Sequence, residues 1–245
     1  MELILSNILP VRLRDTKSTS SCFQELISKA DGLKIACGYV SAGSLVDLKR
    51  IIEVNKKSFL ELVIGMHHFE GITQTQYDEA KFLDDYLQAS HMGGVRVSTI
   101  LKYHGKVYSF LKNKIPFASI VGSSNLNSAF GFSNSYEVDL LLNDKTEKSN
   151  VLEVDNFINV LSEKACTSFK DWNPPTFLDP ENTSLQNYEG VERVGESEKI
   201  KVFSSGTKVS FEIPVKSDET PKSNLNTCFG KGRDNRRGYI KPCGV

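Results

Sequence analysis

No apolar run in this 245-residue sequence approaches the ~20 residues that a membrane-spanning helix needs. Cysteine is sparse: five residues, Cys22, Cys37, Cys166, Cys228 and Cys243, odd in number, scattered, and without a C-x-x-C pair. That argues against a disulfide scaffold and against a thiolate zinc site, and it suits a reducing cytoplasm. The opening MELILSNILPVRLRD puts Arg12 and Arg14 after its short apolar stretch, so it does not read as a signal peptide, and a cytoplasmic location is expected. Internal repeats and low-complexity tracts are also missing. Net charge is zero, with 30 Lys and Arg against 30 Asp and Glu. It is unevenly spread, however. From Lys222 onward six basic residues face one acid, Asp234, for a net of +5, which leaves −5 on the preceding 221 residues. A basic end can contact a polyanion. Charge alone favours the plainer reading, a solvated tail.

What is present is an ordinary globular composition, 39% hydrophobic and 24% charged. At roughly 150 residues per domain, the length allows one large domain plus a small appendage. Over the first two-thirds, strand and helix patterns alternate. Ser21-Cys22-Phe23-Gln24 reads as a capping box and predicts a helix from there to about Ala30. Apolar spacing predicts helices over 44–54, 78–90 and 151–161. Strands are predicted over 33–40, 59–64 and 95–101, with a hairpin of 106–111 against 115–121 and a central strand over 136–142. This alternation gives an α/β fold with a mixed sheet flanked by helices. Pro174, Pro175 and Pro180 then mark 171–198 as a linker or wrapping arm between a domain over 1–170 and a C-terminal β-rich, basic segment over 199–245. There, 199–203 and 208–215 look like paired strands, in a segment short for a domain of its own.

The four histidines can be weighed singly. His104 and Lys106 sit two apart at the start of a strand, so both project to one face. A cation beside an imidazole disfavours imidazolium, which keeps the ring a neutral nucleophile, and the same cation can hold an anion. The hairpin partner ends in Gly122-Ser123-Ser124-Asn125, whose polar side chains can donate to phosphate oxygens. Glu137 stands near the start of another buried strand, where a carboxylate can fix a histidine tautomer. Each has a bland reading: a polar surface strand for His104 and Lys106, turn formation for Ser123 and Asn125, an edge salt bridge for Glu137. Each bland reading wins alone, but the ordered set is hard to obtain by chance. His67 and His68 follow a predicted strand and could touch substrate at the site rim, and His91 reads as a helix-end residue beside Gly93-Gly94.

His104-x-Lys106, then Gly122-Ser123-Ser124-Asn125, then Glu137 before an aliphatic strand resembles the phospholipase D superfamily, whose motif runs H-x-K, a G-S-x-N turn and a downstream Glu. The likeness covers about 102–142. Many members carry an Asp shortly after the lysine; here that place is apolar, around Phe110 and Leu111, and the path to the glycine is longer through Lys112-Asn113-Lys114. Both departures resemble the nuclease branch of BfiI-type restriction enzymes. With Gly65-Met66-His67-His68-Phe69-Glu70-Gly71 and the late Arg236-Arg237-Gly238-Tyr239-Ile240, the chain resembles the NgoFVII family of type II restriction endonucleases.

That resemblance implies a phospholipase D-like sheet, with 199–245 beginning a B3-like DNA-recognition domain. It implies sequence-specific cleavage of double-stranded DNA through a covalent phosphohistidine on His104, with no metal and no other cofactor. Lys106 and Asn125 would neutralise the phosphate oxygens, assisted by Ser123 or Ser124, and Glu137 would orient a histidine. A second histidine must protonate the leaving oxygen, and the chain has one H-x-K, so a homodimer with a shared active site is expected. Lys231, Arg233, Arg236 and Arg237 are the candidate DNA contacts of the tail. A separate helicase-like ATPase subunit stays open as a partner. The chain itself is not expected to hydrolyse nucleotides, because Gly65–Gly71 lacks the lysine of a phosphate loop. Three rivals compete. A lipid phosphodiesterase or transferase of the same fold usually carries two H-x-K motifs and a membrane-binding helix. A metal-dependent nuclease would need Asp47-x-Lys49 or Glu79-x-Lys81, which fall on helical patterns where i and i+2 do not share a face. A DNA-binding module without chemistry would have no use for the intact motif.

Overall fold

The structure, a computed structural model, describes residues 1–131 and 135–178. In chain order the elements are β1 (Glu2–Leu5), α1 (Thr19–Lys29), β2 (Gly32–Cys37), α2 (Ala42–Val54), β3 (Phe59–Ile64), α3 (His67–Glu70), β4 (Ile72–Thr73), α4 (Gln74–Ala89), β5 (Gly93–Ser98), β6 (Lys106–Lys112), β7 (Ile115–Gly122), α5 (Leu126–Ala129), β8 (Val138–Asn143), α6 (Asp144–Ala165), β9 (Cys166–Ser168) and β10 (Phe177–Leu178). Eight strands form one sheet in the order β1-β8-β7-β6-β2-β3-β5-β9. β2, β3 and β5 run parallel, and every other pairing in this sheet is antiparallel. The expected mixed α/β fold is therefore what forms.

β2 and β3 are central, which is why they are apolar at every position but Lys34 and Glu61 after their first residue: a strand covered on both faces needs no alternation. Leu33, Ile35 and Cys37 face a core built with Phe23 of α1, Leu45 and Leu48 of α2 and Leu83 of α4. Ala36, Val63 and Val107 face the other way and pack under Ile158, Leu161 and Ala165 of α6. Lys34 points into that second layer. Its ammonium meets Asp155 at 2.7 Å and Asn159 at 2.8 Å, so the buried charge is paired.

Several expectations need correction. α1 starts at Thr19, not Ser21, because Ser18 is the cap: its Oγ accepts the Ser21 N–H at 3.1 Å. Beginning earlier lets the helix bury Thr19 beside Cys22 and Phe23. α4 also starts earlier, at Gln74, under a capping box between Thr73 and Gln76. The strand after the Gly93-Gly94 turn ends at Ser98 rather than Leu101. The strand expected over 136–142 forms as Val138–Asn143 but is not central. The N-terminal Glu2–Leu5, four residues with no reading from sequence, covers its outer edge as the sheet's last strand. Residues 171–178 lie on the fold: Trp172 is 3% exposed, and Phe177–Leu178 pairs parallel with Ile72–Thr73. The strands expected over 199–203 and 208–215, and the basic residues of the tail, fall outside the described residues.

Candidate active site at the carboxyl end of the parallel strands

Register aligns four strands at one end of the sheet. Cys37 pairs with Lys106, Lys106 with Gly122, and Gly122 with Asp139. This is the end where β2 and β3 finish, the usual position of a site in an α/β sheet. The antiparallel hairpin β6–β7 returns its motif to the same level, so H-x-K at the start of β6 and G-S-S-N after β7 become neighbours. The structure thus brings His104, Lys106, Ser123, Asn125 and Glu137 to one sheet edge.

His104 is exposed and Lys106 is 5% exposed. The Lys106 ammonium lies 3.1 Å from Nε2 and 3.3 Å from Nδ1 of His104, and donates to its backbone carbonyl at 2.6 Å. Burial pushes Lys106 below the usual lysine value, opposed by Cys37 and Glu137. The cation and ring are therefore a fixed pair, with the lysine inside and the histidine facing solvent.

The serines are held by carboxylates. Ser123 Oγ donates to Glu137 at 2.5 Å and accepts the Val138 N–H at 3.0 Å. Ser128 donates to the other Glu137 oxygen at 3.1 Å. Ser124 is fully buried and donates to Asp139 at 2.6 Å. A hydroxyl has one proton to give, and both motif serines commit theirs to acids. Glu137, expected to serve a histidine, receives Ser123 and Ser128 within this chain. Gly122 must lack a side chain here: a Cβ would sit 2.2 Å from Asp139 Oδ1.

Asn125 differs from the serines. Its Oδ1 accepts the Tyr39 N–H at 3.3 Å and faces Cys37 Sγ at 3.2 Å. The remaining histidines are structural. His67 is 4% exposed, bonded through Nδ1 to the Gly71 carbonyl at 2.9 Å, and burial lowers its pKa. His68 Nδ1 accepts the Trp172 indole N–H at 3.1 Å. His91 closes α4 in a left-handed turn, φ 52°. Asp139, Cys37 and Tyr39 escaped the sequence reading. Asp139 could have been flagged as an acid inside an apolar strand; Cys37 and Tyr39 carry no such signal.

Among the described residues no group of three or more His, Cys, Asp or Glu could hold a metal ion, and no helix is long and apolar enough to cross a membrane. A family model described as NgoFVII restriction endonuclease N-terminal PLD domain matches residues 17–170. No curated protein matches the chain. Among solved structures, NucT from Helicobacter pylori is similar at 18% identity, covering 68% of this chain and 97% of that one, with a TM-score of 0.47. Nuc from Salmonella typhimurium, a phospholipase D family member, is similar at 13% identity over 68% and 95%, TM-score 0.41. Phosphatidylserine synthase from Haemophilus influenzae Rd KW20 is similar at 12% identity over 70% and 41%, TM-score 0.45.

Proposed function

Since the chain belongs to the NgoFVII restriction endonuclease family through that family's N-terminal phospholipase D-type domain, we propose that it cleaves double-stranded DNA by metal-independent phosphodiester hydrolysis on His104. The observation that carries this reading is the Lys106 ammonium held against both ring nitrogens of His104. That contact fixes the ring beside a buried cation at the solvent-facing end of the strands. The cation also attracts the phosphodiester that the nitrogen must approach.

In the first step a His104 nitrogen attacks phosphorus, a P–N bond forms, and the bond to one bridging oxygen breaks. A second histidine gives its proton to that leaving oxygen. In the second step the same histidine, now neutral, takes a proton from water; the water oxygen bonds to phosphorus and the P–N bond breaks, restoring His104. Lys106 and the Asn125 amide neutralise the non-bridging oxygens as charge builds. Because Ser123 and Ser124 give their protons to Glu137 and Asp139, their part is to shape the turn that carries Asn125. Glu137 steadies Ser123, and its role toward a histidine rests on the family motif. The second histidine comes from another copy of the chain, in a homodimer with one shared site, since His67 is buried, His68 holds Trp172, and His91 precedes the start of β5, at the other end of the sheet. Lys231, Arg233, Arg236 and Arg237 would add phosphate contacts from the tail.

The test is plasmid cleavage in EDTA with samples quenched in alkaline detergent and run on denaturing gels. The wild-type protein should cut in EDTA and leave a protein–DNA adduct that is stable to alkali and labile to acid, as a phosphoramidate is. His104→Ala should give neither product nor adduct. Activity that disappears in EDTA and returns with magnesium sinks the mechanism.

A further inference from the structure

The chain just beyond β2 touches both halves of the site, although no motif marks it. The Tyr39 N–H lies 3.3 Å from one terminal atom of the Asn125 carboxamide. A backbone N–H only donates, so the atom it meets is the oxygen, and the assignment of the amide follows from its partner. Cys37 Sγ, 3.2 Å from the same oxygen, agrees with this. Burial pushes the Cys37 thiol up to about 11, so it keeps its one proton, which lies within reach of both this oxygen and the Tyr39 carbonyl, each 3.2 Å from Sγ. With Oδ1 anchored on β2's end, the amide leaves Nδ2 as its free donor: the described residues give Nδ2 no hydrogen bond.

The same segment reaches the nucleophile. The Tyr39 ring packs edge-on against His104, with centroids 5.5 Å apart and planes at 77°. On another side it meets His67 at 5.8 Å and 85°, and its hydroxyl donates to Glu70. Between the two contacts lies Gly38, whose N–H bonds to the Gly105 carbonyl at 3.0 Å. A Cβ at residue 38 would come within 3.1 Å of His104 Cα and 3.3 Å of its ring. The segment is therefore fitted against the histidine, with the tyrosine backed by α3.

We propose that Cys37 and Tyr39 are positioning residues of this site: together they turn the Asn125 amide so that Nδ2 faces the phosphate, and they brace the His104 ring in line with it. This rests on the reading that His104 attacks phosphorus and Asn125 donates to the phosphate oxygens. Neither residue takes part in a covalent step.

The test uses the full-length protein and two pairs of variants, with single-turnover cleavage and DNA affinity measured separately. Tyr39→Leu removes the ring and keeps the backbone N–H, whereas Tyr39→Phe keeps the ring. Cys37→Ala removes the thiol donor, whereas Cys37→Ser keeps a donor. Misplacing a reacting group by an ångström can cost about 100-fold, so Tyr39→Leu and Cys37→Ala should each slow the single-turnover step by about 10-fold with DNA affinity retained. Tyr39→Phe and Cys37→Ser should recover most of that loss. Wild-type rates in both Tyr39→Leu and Cys37→Ala overturn the proposal, as does a loss that neither conservative variant recovers, since that is packing alone. If thermal unfolding shows Tyr39→Leu to be unfolded, the Cys37 pair decides. His104→Ala separates the two levels: cleavage by that variant refutes the underlying reading, whereas an inert His104→Ala beside wild-type rates in the other two refutes only the positioning roles.

Discussion

Asp139 holds Ser124 twice, accepting its backbone N–H at 3.0 Å and its hydroxyl at 2.6 Å. Thr19, at the start of α1, donates to the same carboxylate at 2.7 Å. All three residues are buried, so this acid ties the G-S-S-N turn to β8 and to the first helix at once. Asp139→Asn replaces an acceptor oxygen with an amide that faces donors. Leaving a buried donor without a partner costs about 1–3 kcal/mol. The expected result is a lower unfolding midpoint, about 2–4 °C for each kcal/mol in a chain of this size, together with slower cleavage because the turn carrying Asn125 loosens. An unchanged melting curve would show that the turn holds itself.

Acid sensitivity should come partly from His67. Burial puts its folded pKa below the ordinary 6.5. Between those two values the unfolded chain binds the extra proton and the folded one does not, so stability rises with pH across that window. From this group alone, the unfolding midpoint should be flat above pH 6.5 and should fall as pH drops below it. His67→Gln, which keeps a hydrogen-bonding group for Gly71 and Val40 but cannot titrate, should show a shallower acid slope. Equal slopes in both proteins would assign the sensitivity elsewhere.

A shared site makes a sharp statement about mixed dimers. Wild-type and His104→Ala chains are co-expressed under separate tags, and the mixed species is purified. Losing the leaving-group acid alone costs about 100-fold or more, so mixed dimers should be nearly inert while still binding DNA. Retention of half the wild-type rate would mean that each chain carries a complete site.

Trp172 should matter more than its place in a proline-rich stretch suggests. Its indole donates to His68, and its ring lies 5.4 Å from Phe169 and 6.1 Å from Tyr77. Truncating a buried tryptophan costs about 3–5 kcal/mol. Trp172→Ala in the intact chain should therefore lower the urea midpoint by a corresponding amount at constant slope. A midpoint within experimental scatter of wild type would mean that residues 171–178 only rest on the surface.

Long, periodic signals were legible and short or non-local ones were not. β2, β3 and the β6–β7 hairpin could be read because burial on both faces leaves mostly apolar runs, and Asn113-Lys114 supplies a turn with φ of 52° and 64°. His104, Lys106 and Asn125 could be read because their spacing fits strand geometry. β1 was missed because four residues carry little periodicity and its partner is more than 130 residues away. The serines were read as phosphate donors because nothing in sequence says that Glu137 and Asp139 hold their protons. Tyr39 was missed for the same reason: its N–H, which anchors Asn125, is a backbone group that every residue but proline owns.

The register of the hairpin has a practical consequence. Pairing shifts between Phe110 and Leu111, so Phe110 faces Ala118 while Leu111 faces Pro116, and one residue of β7 is taken up in a bulge. That irregularity lies near the tip, at the far end from Lys106 and Gly122; six residues at about 3.4 Å of rise separate the tip from the site by roughly 20 Å. A change in loop length at Asn113-Lys114 acts at that distance from the paired ends, and the local contact it would disturb is the Asn113 N–H bond to Asp31 at 2.7 Å. The tip is thus a permissive address, where a fluorophore or a short affinity tag could be spliced in to follow the protein on DNA without retuning the chemistry.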